Sequence, residues 1–112
     1  MHELALTCAI VESAEDAASG RRVIRVTLEI GRLSGVMTEA IRFCFDEVAR
    51  GTGVEGAVLD IREPNGRARC RGCGAEFATP DLYTACRCGG LDLERLQGLE
   101  LTINSIELAE AA

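Results

Sequence analysis

Apolar and polar residues follow two rhythms along this chain. Over residues 3–19 the apolar positions return at helical spacing: Leu4, Cys8, Val11, Ala14 and Ala18 lie on one side, and Leu6, Ile10 and Ala17 widen the arc. Glu12, Ser13 and Asp16 share the polar side, and Ser19-Gly20 ends the helix. Residues 22–30 alternate instead. Ile24, Val26, Leu28 and Ile30 face one way and Arg25, Thr27 and Glu29 the other, which predicts a strand in a sheet with one solvated face. Gly31 closes it. Met37, Ile41, Cys44, Phe45 and Val48 predict a second helix over about Thr38–Arg50, with Thr38 as N-cap and Gly51-Thr52-Gly53 as the stop. A second strand is predicted over Ala57–Glu63, with Ala57, Leu59 and Ile61 inward.

Pro64-Asn65-Gly66 marks a boundary. Residues 67–96 hold few large apolar groups, so this stretch needs a staple other than a core. After Gln97-Gly98, alternation returns at Leu99, Leu101 and Ile103, and the phase shifts after Asn104 to Ile106 and Leu108. The predicted order is α-β-α-β, a small module, then β. Two domains are expected: an α/β domain from residues 1–63 plus 98–112, and a module over 64–97.

Composition narrows the class. The 112 residues suit one ordinary domain, or a small one with an appendage, and the 47% apolar fraction supports a core that is aliphatic, with three Phe, one Tyr and no Trp. All twelve basic residues are Arg, and the net charge of −6 disfavours nucleic-acid or anionic-membrane binding. No run approaches the ~20 apolar residues of a membrane span, and the amino terminus carries acids where a signal would carry bases. A cytoplasmic, reducing location is expected, and with it thiols and metal ligands in place of disulfides.

The staple is legible. Cys70, Cys73, Cys86 and Cys88 form a Cys-x2-Cys arm, a loop of twelve residues and a Cys-x-Cys arm. Four thiolates close the tetrahedral shell that Zn²⁺ prefers and leave no open position, so the expected metal is a structural zinc. Iron satisfies the same ligand set, but nothing in the sequence suggests electron transfer. Gly72 and Gly74 allow a tight turn in the first arm. In the second, a one-residue spacer on an extended chain leaves the sulfurs too far apart, so a local turn at Gly89-Gly90 must draw them together. Arg67, Arg69, Arg71 and Arg87 gather in the module, but Glu76, Asp81 and the −2 of a four-thiolate zinc site offset them. Cys8 and Cys44 lie on predicted apolar helix faces with no ligand partner at metal-binding spacing, so both are expected as buried small hydrophobes.

The single histidine is His2. With Met1 retained, the α-amine, the deprotonated amide of His2 and its imidazole Nδ1 can form fused chelate rings, and a further donor from Glu3 can complete a square plane suited to Ni²⁺ or Cu²⁺. From chemistry alone the better reading is a frayed terminus with an incidental histidine. With one histidine, no Ser/His/Asp set and no phosphate-binding glycine loop, the chain offers little for catalysis and is read as a non-enzyme.

Several segments together resemble one family: Met1-His2-Glu3; Ile30-Gly31-Arg32-Leu33-Ser34-Gly35-Val36; Phe43-Cys44-Phe45-Asp46; Gly51-Thr52 with Glu55-Gly56; Pro64 before the cysteine module; and Ser105-Ile106-Glu107. Over essentially its full length the chain resembles the HypA/HybF hydrogenase maturation proteins, nickel metallochaperones for [NiFe]-hydrogenase. The resemblance implies an α+β fold, two helices on a three-stranded mixed sheet, with a zinc-ribbon-like module before the last strand. It implies nickel at His2 with Met1 and Glu3, through the histidine side chain and terminal backbone nitrogens, and zinc at the four cysteines. It also implies a HypB-type GTPase and the hydrogenase large-subunit precursor as partners, and leaves a homodimer open. The second arm departs from the family's usual Cys-Pro-x-Cys-Gly-Gly: Ala85 stands at the leading cysteine and Cys86 at the proline, so Cys86 is expected to supply the missing ligand from a shifted backbone. The readings to be separated are a nickel carrier, a zinc-ribbon adaptor or nucleic-acid module without nickel, and a thiol redox protein using Cys86 and Cys88.

Overall fold

The computed structural model describes residues 2–110. The elements are α1 (His2–Ala18), β1 (Val23–Ile30), α2 (Thr38–Ala49), β2 (Val58–Arg62), β3 (Arg67–Cys70), β4 (Glu76–Ala78), β5 (Leu93–Gln97) and β6 (Leu101–Leu108). They make two three-stranded sheets, ordered β2-β1-β6 and β4-β3-β5. The chain forms two compact units, Met1–Leu28 with Val36–Ile61 and Thr102–Ala112, and Glu29–Gly35 with Arg62–Leu101.

In the first unit α1 packs on α2. The buried stripe of α1 is Thr7, Ile10, Val11, Ala14 and Ala18. This corrects the sequence reading, because Leu4 and Cys8 are exposed. Val11, Ala14 and Ala18 hold the expected side, but at the amino-terminal end Thr7 takes the buried place, at little cost because its hydroxyl donates to the Glu3 carbonyl at 2.6 Å. On α2, Ile41, Phe45 and Ala49 are buried, Cys44 is only half-buried, and Phe43 is exposed. The N-cap is Met37, one residue before the predicted Thr38.

β1 also differs from simple alternation. Val23 is buried, Ile24 and Arg25 are exposed, and Val26, Thr27 and Leu28 are buried in succession. The phase slips at Ile24–Arg25, and the middle of this central strand is covered on both faces, so the expected solvated face is lost there. Arg25 lies between Asp60 of β2 and Glu107 of β6, at 4.0 and 3.8 Å. On β6, Ile103, Ile106 and Leu108 are half-buried and Leu101 is exposed, as is Leu99 just before the strand.

The second unit carries a sheet that the sequence reading did not foresee. Its middle strand β3 pairs antiparallel with β4 (Arg67 opposite Ala78) and with β5 (Cys70 opposite Leu93). The segment 29–35 belongs to this unit. The amides of Gly31, Arg32 and Leu33 donate to the carbonyls of Glu100, Pro64 and Gly98 at 2.8, 3.0 and 2.7 Å. Gly31 lies directly against the Gly98 carbonyl, where a Cβ would collide with main chain, and the Leu33 side chain rests over Gly66 and Gly98. Glycine is required at this crossing by close approach of two backbones.

Candidate metal centre

The β3–β4 hairpin forms the first arm. Cys70 ends β3; its amide donates to Ala75 O and its carbonyl accepts from the Gly74 amide at 2.8 Å. Gly74 has φ +79°, a left-handed turn that other residues rarely adopt. The chain then crosses to the second arm through a turn built on Asp81. One carboxylate oxygen accepts from the Tyr83 amide, the Thr84 amide and the Thr84 hydroxyl, each at 2.8 Å. These bonds, the Tyr83 amide foremost, hold the Asp81 carboxyl below the usual carboxylate range. Such side-chain-to-backbone turns are what Asp and Thr supply in loops.

The second arm bends as the one-residue spacer requires. The Cys86 amide donates to Gly90 O at 3.0 Å, and the Gly89 amide, at φ +88°, donates to Cys86 O at 2.8 Å. The Gly90 amide lies 3.4 Å from Cys88 Sγ. A Cβ on Gly90 would stand 3.0 Å from Cys70 Sγ and 3.2 Å from Cys88 Sγ, so this glycine leaves room for the sulfurs. An Arg71 amide to Asp92 carbonyl bond of 3.0 Å ties the first arm to the chain following the second.

All four sulfurs lie within 4.8 Å of one another. Cys70 and Cys88 are 3.7 Å apart, and Cys73 and Cys86 are 3.5 Å apart, so each close pair takes one sulfur from each arm. A regular tetrahedron with zinc–sulfur bonds of about 2.3 Å has sulfur–sulfur edges of about 3.8 Å. The cluster therefore fits a structural zinc in donor type, number and spacing. Cys70 is 1% exposed and Cys86 5%. Cys86 thus occupies the interior of the cluster, while Ala85 beside it offers no ligand.

The thiols are electrostatically opposed without a cation. The Cys73 amide, against the cost of burial and with help from the Gly72 amide, draws Cys70 down to about 7. At Cys88 the Gly90 amide acts in the same sense, but the thiols of Cys86, Cys70 and Cys73 outweigh it and push Cys88 up to about 11. Four sulfurs this close ionise together only around a cation.

Two arginines of this unit are paired with its own acids. Arg69 meets Glu76 at 3.0 Å and Glu94 at 3.1 Å, and Arg71 meets Asp92 at 3.2 Å. That pairing offsets Arg69 and Arg71, two of the four module arginines a nucleic-acid interface would use.

At the other candidate site, His2 is exposed and opens α1. Met1 lies outside the described residues. Glu3 is half-buried, and its Oε2 accepts from the Met37 amide at 3.1 Å. That bond is the first cause of its lowered carboxyl pKa. Among the described residues the four cysteines are the sole cluster of three or more potential ligand side chains, and His2 and Glu3 join no such group. The sequence reading missed the Glu3–Met37 bond, which spans 34 positions and leaves no local signal.

A family described as HypA, a metallochaperone for hydrogenase and urease nickel incorporation, matches residues 1–108. The hydrogenase maturation factor HypA of Nostoc sp. is 48% identical over 110 residues, covering 98% of this chain and 97% of that one. That of Geotalea daltonii is 45% identical over 107 residues, covering 95% and 97%. The solution structure of the Ni metallochaperone HypA from Helicobacter pylori superposes with a TM-score of 0.68 at 22% identity, covering 95% of this chain and 96% of that one. At that identity the likeness shows the fold alone.

Proposed function

Since this chain belongs to the HypA family of metallochaperones for nickel incorporation into hydrogenase and urease, we propose that it takes its nickel at the amino terminus and passes it on during [NiFe]-hydrogenase maturation. The proposed nickel donors are the Met1 amine, the His2 amide and imidazole, and a main-chain donor from Glu3. The single observation that carries this reading is the family match from residue 1 with His2 as the sole histidine. His2 is exposed at the first position of α1, where amides have no intrahelical acceptor, so its main-chain nitrogen is not committed to the helix. Nitrogen donors in a plane suit Ni²⁺, and an exposed chelate can exchange its metal with a partner.

The zinc is a different kind of site. Cys70, Cys73, Cys86 and Cys88 are the proposed ligands, and the four-thiolate shell supplies folding energy to a module with a small core. The nickel function is proposed for residues 1–63 with 98–112, and the zinc function for residues 64–97. The protein is a maturation factor and not an enzyme. A HypB-type GTPase and the hydrogenase large-subunit precursor are the proposed partners, met in the cytoplasm, with a homodimer as one form; among the described residues no helix is long and apolar enough to cross a membrane.

The amine distinguishes this reading from a plain histidine site. A Gly-Ser extension ahead of Met1 removes the amine from the chelate and should weaken nickel binding at least tenfold in a competition titration. Equal affinity for extended and native protein would refute the terminal chelate.

A further inference from the structure

We propose that Glu3 is a positioning residue for nickel, whose carboxylate caps α2 from a distance and so fastens the His2 end of α1. The inference rests on the amino-terminal nickel reading above.

The N-cap of α2 is Met37, which makes no side-chain capping hydrogen bond. In a capping box, a Glu or Gln three residues after the cap reaches back to the cap amide. Here that position is Ala40, which has no acceptor. Glu3 supplies what Ala40 lacks: its Oε2 accepts from the Met37 amide at 3.1 Å. A carboxylate at a helix amino terminus also meets the favourable end of the helix dipole.

Glu3 is held at a second point. Its carbonyl accepts the hydroxyl of Thr7 at 2.6 Å, and Thr7 is fully buried. The backbone of Glu3 is therefore tied into α1 while its side chain is tied to the start of α2, with His2 the next residue. A terminal chelate must order its first residues when the metal arrives, and prior ordering removes part of that cost. The carboxylate is committed to Met37, so Glu3 serves nickel by placing the chelate and not through its side-chain oxygen.

The test titrates Ni²⁺ into untagged wild type, Glu3→Gln, Glu3→Ala and His2→Ala, and follows exchange of the Met37 amide in the nickel-free proteins. Gln keeps an acceptor oxygen, so Glu3→Gln should bind nickel nearly as wild type does. Glu3→Ala should bind about fivefold more weakly, the ratio expected for losing one ordering hydrogen bond. Its nickel absorption spectrum should be unchanged, and its Met37 amide should exchange faster. Unchanged Met37 exchange in Glu3→Ala, or wild-type nickel affinity in that variant, would overturn the inference. So would a shifted nickel spectrum in both Glu3 variants, which would make the carboxylate a ligand. Wild-type nickel affinity in His2→Ala would overturn the terminal site itself, whereas the Glu3 outcomes overturn its positioning alone.

Discussion

Replacing Cys86 with alanine tests the least ordinary feature of the zinc cluster, a second arm with one residue between its cysteines. Cys86 Sγ lies 3.5 Å from Cys73 Sγ, and the residue is 5% exposed. The edge is close to that of a four-sulfur tetrahedron, so Cys86 should bear a full share of the metal's affinity. Structural zinc sites of this kind bind with about 10–16 kcal/mol, or about 3 kcal/mol per ligand. Water taking the vacated position recovers part of this, leaving a loss of about 2–3 kcal/mol and a zinc dissociation constant raised about thirty- to a hundred-and-fiftyfold. Competition against a chromophoric chelator measures that ratio. Cys8→Ala serves as control, because Cys8 is an exposed thiol outside the cluster. An affinity for Cys86→Ala within about threefold of wild type would show that the metal does not use this sulfur, and the tetrahedral argument would fail.

Three further outcomes follow from the second unit. Removing zinc with a chelator should release exchange protection across β3–β5 and also at Gly31, Arg32 and Leu33, whose amides bond to Glu100, Pro64 and Gly98; protection at 31–33 that survives chelation would separate this segment from the metal-dependent unit. Gly31→Ala places a methyl against the Gly98 carbonyl and should destabilise by about 1–3 kcal/mol, read in thermal or denaturant unfolding; a neutral result would mean the crossing can open freely. The Asp81 carboxyl has a folded pKa below its ordinary 3.8. Its contribution is therefore complete above that value and fades as pH falls through the lower folded value. The melting temperature of wild type should drop more steeply than that of Asp81→Asn on acidification into this range, and parallel curves would contradict the role given to the turn.

The four-cysteine cluster was the most legible part of the chain because its information is local. Cys-x2-Cys and Cys-x-Cys with flanking glycines state the donors, and Gly74, Gly89 and Gly90 carry the turn geometry that brings the sulfurs together. The helices and the strands of the first sheet were legible from period, to within a residue or two at their ends. What failed was fine phase. Cys8 read as core by its chemistry, yet Thr7 holds that position because an adjacent carbonyl satisfies its hydroxyl. Ile24 read as inward by alternation, yet the phase slips beside it. The β4-β3-β5 sheet escaped because its strands are short and the buried positions of β3 are the small residues Ala68 and Cys70, so no run of large apolar side chains marks them. The Glu3–Met37 bond escaped because it joins residues far apart in sequence.

The most direct test of the account is metal analysis of untagged protein with an unmodified amino terminus, loaded with nickel beside its His2→Ala variant. The account predicts stoichiometric nickel in the wild type, loss of specifically bound nickel in the variant, and equal zinc in both. Nickel retained by the variant at wild-type stoichiometry and affinity would contradict it.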